Sequence, residues 1–178
     1  MKGHLFLIGF MGVGKTAVSG QLAKILSVPC MDTDTEIERR AKKRITEIFE
    51  TEGEAAFRDM ETALLSDLTK EAPRVISCGG GITLRPGNRQ IMKSAGTICT
   101  LAAKPETVLS RVAHSDPRPL LNGHMNLSYI EKLMEERKSR YEDVADLTVA
   151  TDGKTVQEVA SEIQRSLDEA CQVSGEAL

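Results

Sequence analysis

The sequence predicts an α/β protein of three layers, a mainly parallel sheet covered by helices on both faces. Three observations point there. Short apolar runs alternate with longer stretches of helical period along the 178 residues, the pattern of repeated βαβ units. The first run ends in a glycine-rich turn that opens directly into a helix. No linker, repeat or low-complexity tract interrupts the alternation, so one domain is expected over residues 1–170, with a flexible tail at 171–178.

Taken in order, Leu5-Phe6-Leu7-Ile8 reads as a buried strand. Lys15–Leu26 reads as a helix with Val18, Leu22, Ile25 and Leu26 on one face. Val28–Met31 is a short second strand, followed by helical segments at Thr35–Lys43, Ile45–Glu50 and Glu54–Thr69. Val75–Ser77 is a third strand that ends in Gly79-Gly80-Gly81. Pro86–Lys93 and Pro105–Val112 are helices entered through proline, on either side of a fourth strand at Thr97–Leu101. Residues 113–126 have no clear period and hold His, Pro, Asn and Gly, so they read as a loop. Ser128–Asp143 is helical, Leu147–Ala150 a fifth strand and Thr155–Ala170 a closing helix. In such sheets ligands sit at the carboxyl ends of the strands, and the unusual residues of this chain fall at those ends.

Composition narrows the partners. The formal charge is −3, from 23 Lys and Arg against 26 Asp and Glu, which argues against a non-specific nucleic-acid surface. Four Phe, two Tyr and no Trp leave little for stacking bases. The basic run Arg39-Arg40-Ala41-Lys42-Lys43-Arg44 is flanked by acids. Glu36/Arg40, Glu38/Lys42 and Lys43/Glu47 stand four apart, as pairs on a solvated helix face. The apolar run Leu5–Gly14 is shorter than the roughly 18 residues of a membrane span. It is followed by Lys15 before the small residues Ala17-Val18-Ser19, where a charge is out of place for a cleaved leader. Cys30, Cys78, Cys99 and Cys171 form no CxxC and no zinc-type cluster. Reduced thiols in a cytoplasmic protein are therefore expected, with no membrane and no nucleic acid among its partners.

Gly9-Phe10-Met11-Gly12-Val13-Gly14-Lys15-Thr16 matches G-x-x-x-x-G-K-[ST] between a strand and a helix. That context identifies a phosphate-binding loop, in which inward backbone N–H groups and a helix N-terminus cradle phosphates. Lys15 reaches the β/γ-phosphates and Thr16 holds Mg²⁺, with Gly12, Val13, Gly14 and Ala17 lining the nucleotide. No Asn precedes a Lys and no D-x-x-G occurs, so a GTPase switch is excluded and ATP is favoured.

The remaining motifs each carry two readings. Asp32-Thr33-Asp34 ends the second strand. Two carboxylates spaced two apart serve a metal-bound water and a substrate hydroxyl, or else Thr33-x-x-Glu36 and Thr35-x-x-Glu38 are capping boxes. Arg58 and Glu61, three apart on a helix, are a surface pair or a carboxylate-gripping arginine and its support. Three consecutive glycines exceed what one tight turn requires, so Gly79, Gly80 and Gly81 mark a close approach to backbone. Ser77 at the strand tip can bind a metal water. Arg118, between Pro117 and Pro119, is an ordinary loop residue or the charge a lid delivers to the γ-phosphate. Arg137 is a helix-surface arginine or a second grip on a small anion.

As an ordered set, G-F-M-G-V-G-K-T, D-T-D, F-R-D-M-E, the triple glycine, R-P-L-L and an arginine four before Tyr141 resemble shikimate kinases from Leu5 to about Lys154. The resemblance implies a nucleoside-monophosphate-kinase-like fold, with a five-stranded parallel sheet ordered 2-3-1-4-5 and a mobile lid at about 113–126. It implies transfer of the ATP γ-phosphate to the 3-hydroxyl of shikimate, in the route to aromatic amino acids. Lys15, Asp34 and Arg118 are then catalytic, and Asp34 binds the ring hydroxyls. Arg58 and Arg137 grip the carboxylate, and Gly79–Gly81 line the ring. Thr16 and Asp32 hold Mg²⁺, and Arg111, Arg118 and Lys154 serve ATP. The lid excludes water, and a monomer is expected. Two departures stand out. Lys42 and Arg44 occupy positions where this family usually has Gly and Ser or Thr, which unsettles a helix boundary. Asp152-Gly153-Lys154 replaces a more Arg/Asn-rich adenine loop. A kinase for another polyhydroxy acid such as gluconate, and a non-catalytic ATP-sensing module, are the alternatives.

Overall fold

A computed structural model describes residues 3–113 and 126–175. Five strands, β1 (His4–Ile8), β2 (Cys30–Asp32), β3 (Val75–Ser77), β4 (Gly96–Ala102) and β5 (Leu147–Ala150), form one sheet in the order β2-β3-β1-β4-β5. Every pairing is parallel, so all five carboxyl ends lie along one edge. The order is the one the family resemblance implies. Among the described residues eight α-helices surround the sheet: α1 (Lys15–Leu26), α2 (Thr33–Ala41), α3 (Ile45–Thr51), α4 (Gly53–Leu68), α5 (Pro86–Ala95), α6 (Pro105–Val112), α7 (Leu127–Glu142) and α8 (Val156–Gly175).

The apolar run at the start of the chain becomes the central strand because it can bury both of its faces. Leu5 and Leu7 pack with Val18 and Leu22 of α1, Val108 of α6 and Val159 and Ile163 of α8. Phe6 and Ile8 point to the other side, against Ile37 of α2, Leu64 and Leu68 of α4 and Met92 of α5. Each such side chain contributes about 1.5–3 kcal/mol by leaving water. The two half-cores clamp β1, and with it the turn that follows it.

Element boundaries differ from the sequence reading where a side chain intervenes. α2 begins at Thr33, not Thr35, because the Asp32 carboxylate caps it: Oδ1 accepts from the amides of Asp34 (3.1 Å) and Thr35 (3.3 Å). Neither expected capping box forms there. One forms instead at the start of α8, where the Thr155 hydroxyl accepts from the Glu158 amide and Glu158 accepts from the Thr155 amide. α2 ends at Lys42, whose φ of 55° is left-handed, so the helix breaks there even without the family's usual glycine. Glu38 bridges the break by accepting from the Ile45 amide at 2.9 Å, which takes it out of the expected pair with Lys42. Of the other pairs, Glu36–Arg40 forms, shared with Arg39, and Lys43 reaches Glu52 rather than Glu47. α8 continues past Ala170 to Gly175. Cys78 and Cys99 are buried and Cys30 is exposed, all three as free thiols.

Candidate active site

The turn after β1 owes its shape to glycine. Gly12 and Gly14 have φ of 76° and 97°, a region L side chains avoid. Gly14 is the N-cap of α1, so the N-terminal end of that helix meets the loop. Lys15 folds over the loop, its Nζ donating to the carbonyls of Gly9 and Phe10, both at 2.8 Å. A cleft of about 210 Å³ opens here, lined by Gly12, Lys15, Thr16, Asp32, Asp34 and Gly79 among others. The phosphate-binding loop and the aspartate pair thus share one cavity.

Asp32 serves both readings of its motif. While Oδ1 caps α2, Oδ2 accepts from the hydroxyls of Ser77 (2.8 Å) and Thr16 (3.1 Å). Asp34 lies in the first helical turn rather than in extended chain, so strand alternation is not what brings the two aspartates together. The cap does it, by starting the helix between them. Thr33 is fully buried and accepts from the Gly79 amide at 2.8 Å, tying the start of α2 to the glycine turn after β3.

The Gly79–Gly81 turn is glycine because of what surrounds it. A methyl group on Gly79 would collide with Asp34 Oδ1 and come within 3.3 Å of Glu61 Oε1. On Gly81 it would strike the Arg58 guanidinium, 2.7 Å from Cζ. On Gly80 it would stand 3.7 Å from both Arg137 Nη1 and the Gly9 carbonyl oxygen, and 3.8 Å from the Met11 amide nitrogen. Asp34, Arg58 and Arg137 therefore close around this turn, and the turn abuts the phosphate-binding loop.

Arg58 is no surface pair. It is 7% exposed, donating to Glu61 Oε2 at 2.8 Å and to Glu54 Oε1 at 2.9 Å. Glu61 is fully buried, and burial pushes its carboxyl up to about 7, against the pull of Arg58 and with a further push from Asp34. Its Oε1 has no hydrogen-bond donor among the described residues. Arg137, 8% exposed, lies over the Phe10 ring with Cζ 5.4 Å from the centroid.

At the β4–β5 end, Arg111 donates to the hydroxyl (3.0 Å) and carbonyl (3.2 Å) of Thr151 and to the Gly12 carbonyl (3.3 Å), linking this corner to the phosphate-binding loop. Lys154 is ion-paired with Glu162 of α8 at 2.6 Å. Asp152 holds the start of α6 through the Lys104 amide and the Thr107 hydroxyl. Arg118, with residues 114–125 of the expected lid, lies outside the described residues.

Sequence reasoning leaves Glu54 and Phe10 without individual roles, gives Thr33 only a capping one and uses Tyr141 only as a landmark. The Tyr141 hydroxyl donates to the Gly80 carbonyl at 2.7 Å. Ile130, Arg137 and Tyr141 form the buried stripe of α7, so an arginine within an apolar period was the available signal.

Among known proteins, the family model described as shikimate kinase matches residues 11–168. The chain is 39% identical over 174 residues to a shikimate kinase of Dehalococcoides mccartyi, covering 98% of each chain. The solved structure of shikimate kinase from Acinetobacter baumannii in complex with shikimate is similar at a TM-score of 0.89, with 33% identity over 94% of each chain. A gluconokinase from Sinorhizobium meliloti 1021 is similar at a TM-score of 0.64 but only 16% identity, covering 99% of this chain and 98% of its own, a likeness of fold alone.

Proposed function

The chain belongs to the shikimate kinase family and is an ATP-dependent kinase with an alcohol acceptor, and from that premise we propose how its residues divide the transfer of the ATP γ-phosphoryl group to the 3-hydroxyl of shikimate. The observation that carries the reading is the convergence of Asp34, Arg58 and Arg137 on one glycine turn, itself packed against the phosphate-binding loop. A small ring bearing a carboxylate and hydroxyls matches that set: two arginines for the carboxylate and one carboxylate for a hydroxyl.

Phosphoryl transfer asks chiefly for alignment and for charge opposite the transferring group. The loop amides from Gly12 to Ala17 hold the phosphates, Lys15 neutralises them, and Arg118 supplies a second cation from the lid. Asp34 accepts a hydrogen bond from the attacking hydroxyl and stands where it can take the proton. Arg58 and Arg137 fix the ring so that this hydroxyl faces the phosphate, with Gly79–Gly81 against the ring. Arg111 flanks the adenine, and Lys154 lies in the neighbouring loop.

Thr16, Asp32 and Ser77 present hydroxyl and carboxylate oxygens within hydrogen-bond distance of one another. These hard donors fit Mg²⁺, which takes few protein ligands when phosphates supply the rest. Thr16 and Asp32 would hold Mg²⁺, which would supply positive charge to offset that of the phosphates. No helix of the described residues is long and apolar enough to cross a membrane. Val156 is the one exposed large hydrophobic residue among the described residues, which supports a monomer, and free thiols support a cytoplasmic setting.

ADP release measured with shikimate, with gluconate and with no acceptor tests the reading. Release that requires shikimate is expected. Equal release without acceptor, or preference for gluconate, overturns it.

A further inference from the structure

One contact at the acceptor end has no part in the mechanism above. Tyr141 lies four residues after Arg137, on the same face of α7. It is 7% exposed and packs in the half-core with Phe6 and Ile8. A phenylalanine would fill that space equally well, so the hydroxyl calls for its own explanation. It donates to the Gly80 carbonyl at 2.7 Å. Arg137 Nη1 donates to the same oxygen, but at 3.4 Å. The short bond goes to the phenol and the long one to the guanidinium. Burial raises the phenol's ionisation above its ordinary value, opposed by the charge of Arg137, by a hydrogen bond from the Arg137 side chain to the phenol, and by the charge of Arg140, so the group keeps its proton, donates to Gly80 and steadies Arg137 beside it.

A half-buried carbonyl needs a donor, and leaving it without one costs about 1–3 kcal/mol. Without the phenol, the nearest available donor is Arg137. Its guanidinium, seated over Phe10 and already 3.4 Å from that oxygen, would close on Gly80 and commit its N–H groups to the main chain. We propose that Tyr141 is a positioning residue for acceptor recognition: by satisfying the Gly80 carbonyl, its hydroxyl keeps the Arg137 guanidinium available to the substrate carboxylate. This rests on the reading that Arg137 grips that carboxylate.

The test compares wild type and Tyr141→Phe with ATP and two acceptors, shikimate and its uncharged carboxamide. Wild type should favour the carboxylate. In Tyr141→Phe the KM for shikimate should rise about tenfold, the worth of one well-placed hydrogen bond. The KM for the carboxamide, the KM for ATP and kcat at saturating shikimate should hold. A merely structural loss would not separate the two acceptors. An unchanged ratio of the two acceptor KM values in Tyr141→Phe overturns the proposal while leaving the Arg137 reading intact. Wild type that fails to distinguish the acceptors overturns the Arg137 reading first, and this proposal with it. In an Arg137→Ala background, Tyr141→Phe should add nothing, and a further tenfold loss there also overturns the proposal. Tyr141→Met, an apolar filler without the hydroxyl, takes the place of Tyr141→Phe if that variant does not fold.

Discussion

Two glycine-rich turns face each other across the cleft, and they are glycine-rich for different reasons. At Gly14 a methyl group would meet nothing within 4 Å, yet φ is 97°; the residue is glycine for the sake of conformation. At Gly81 no positive φ occurs, yet a methyl group would strike Arg58; the residue is glycine for the sake of space. The donor end is thus built from main chain, which suits phosphates common to every nucleotide. The proposed acceptor end is built from charged side chains crowded onto bare backbone, which suits one small molecule.

The largest expected effect sharpens this division on the chemical step. Arg118→Ala should lower kcat about 10³-fold or more, by the standard of other phosphoryl-transfer arginines, with both KM values near wild type. Steady-state kinetics with each substrate varied in turn would check it, and an unchanged kcat would remove Arg118 from the mechanism. Next in size are matched substitutions in the two turns. Gly81→Ala should cost about 10²-fold in kcat/KM for shikimate by displacing Arg58, with the KM for ATP retained. Gly14→Ala should do the reverse, raising the KM for ATP about tenfold, since a strained left-handed residue costs about 1–2 kcal/mol. If both variants weakened the same substrate, the division of labour between the turns would break.

A third experiment probes the acceptor end by pH, against a surface pair as reference. Glu36 and Glu61 each pair with an arginine three residues away. Hydrogen bonds from Arg39 and then Arg40 hold the Glu36 carboxyl down at about 2, whereas burial lifts Glu61 to about 7. Between about pH 4.5 and 7, folded Glu61 keeps a proton that the unfolded chain releases, so its contribution makes stability fall as pH rises. Melting temperatures of wild type and Glu61→Gln across that window should show this slope in wild type and its loss in the variant. Parallel curves would mean that Glu61 ionises as an ordinary carboxylate. The smallest effect lies outside both turns. Lys42→Gly should relieve the left-handed strain at the end of α2, offset in part by glycine's chain entropy. A gain of about 0.5 kcal/mol, or roughly 1–2 °C in Tm, is expected, with kinetics unchanged.

The same contrast explains what the sequence made legible. The phosphate-binding loop could be read outright, because eight consecutive residues carry its geometry and the flanking strand and helix confirm it. The strand order follows from family resemblance and not from periodicity, which sets element types but not their neighbours. The acceptor end was legible only as a set. Asp34, Arg58 and Arg137 lie on α2, α4 and α7, and spacing alone leaves each an ordinary surface charge. Burial decides otherwise, and burial is a tertiary property. The triple glycine signalled a close approach to backbone, which was right in kind, but the groups that approach include the protein's own Asp34 and Arg58. The D-T-D motif posed a choice between cap and metal ligand that has no single answer, since one carboxylate spends an oxygen on each.

The position of β1 has a consequence for biosynthesis. It comes first of the five described strands in chain order and lies at the centre of the sheet, yet its neighbours β3 and β4 begin at Val75 and Gly96. At about 5–20 residues per second, the roughly seventy residues before β3 take on the order of 4–14 s to synthesise. For that interval Leu5-Phe6-Leu7-Ile8, an apolar strand with both edges open, has no sheet to join. The nascent chain must shield it, with α1 the first element able to lie across one face, or a chaperone must. The feature that fixes the phosphate-binding loop so firmly in the finished enzyme is also the segment most exposed to aggregation while the enzyme is being made.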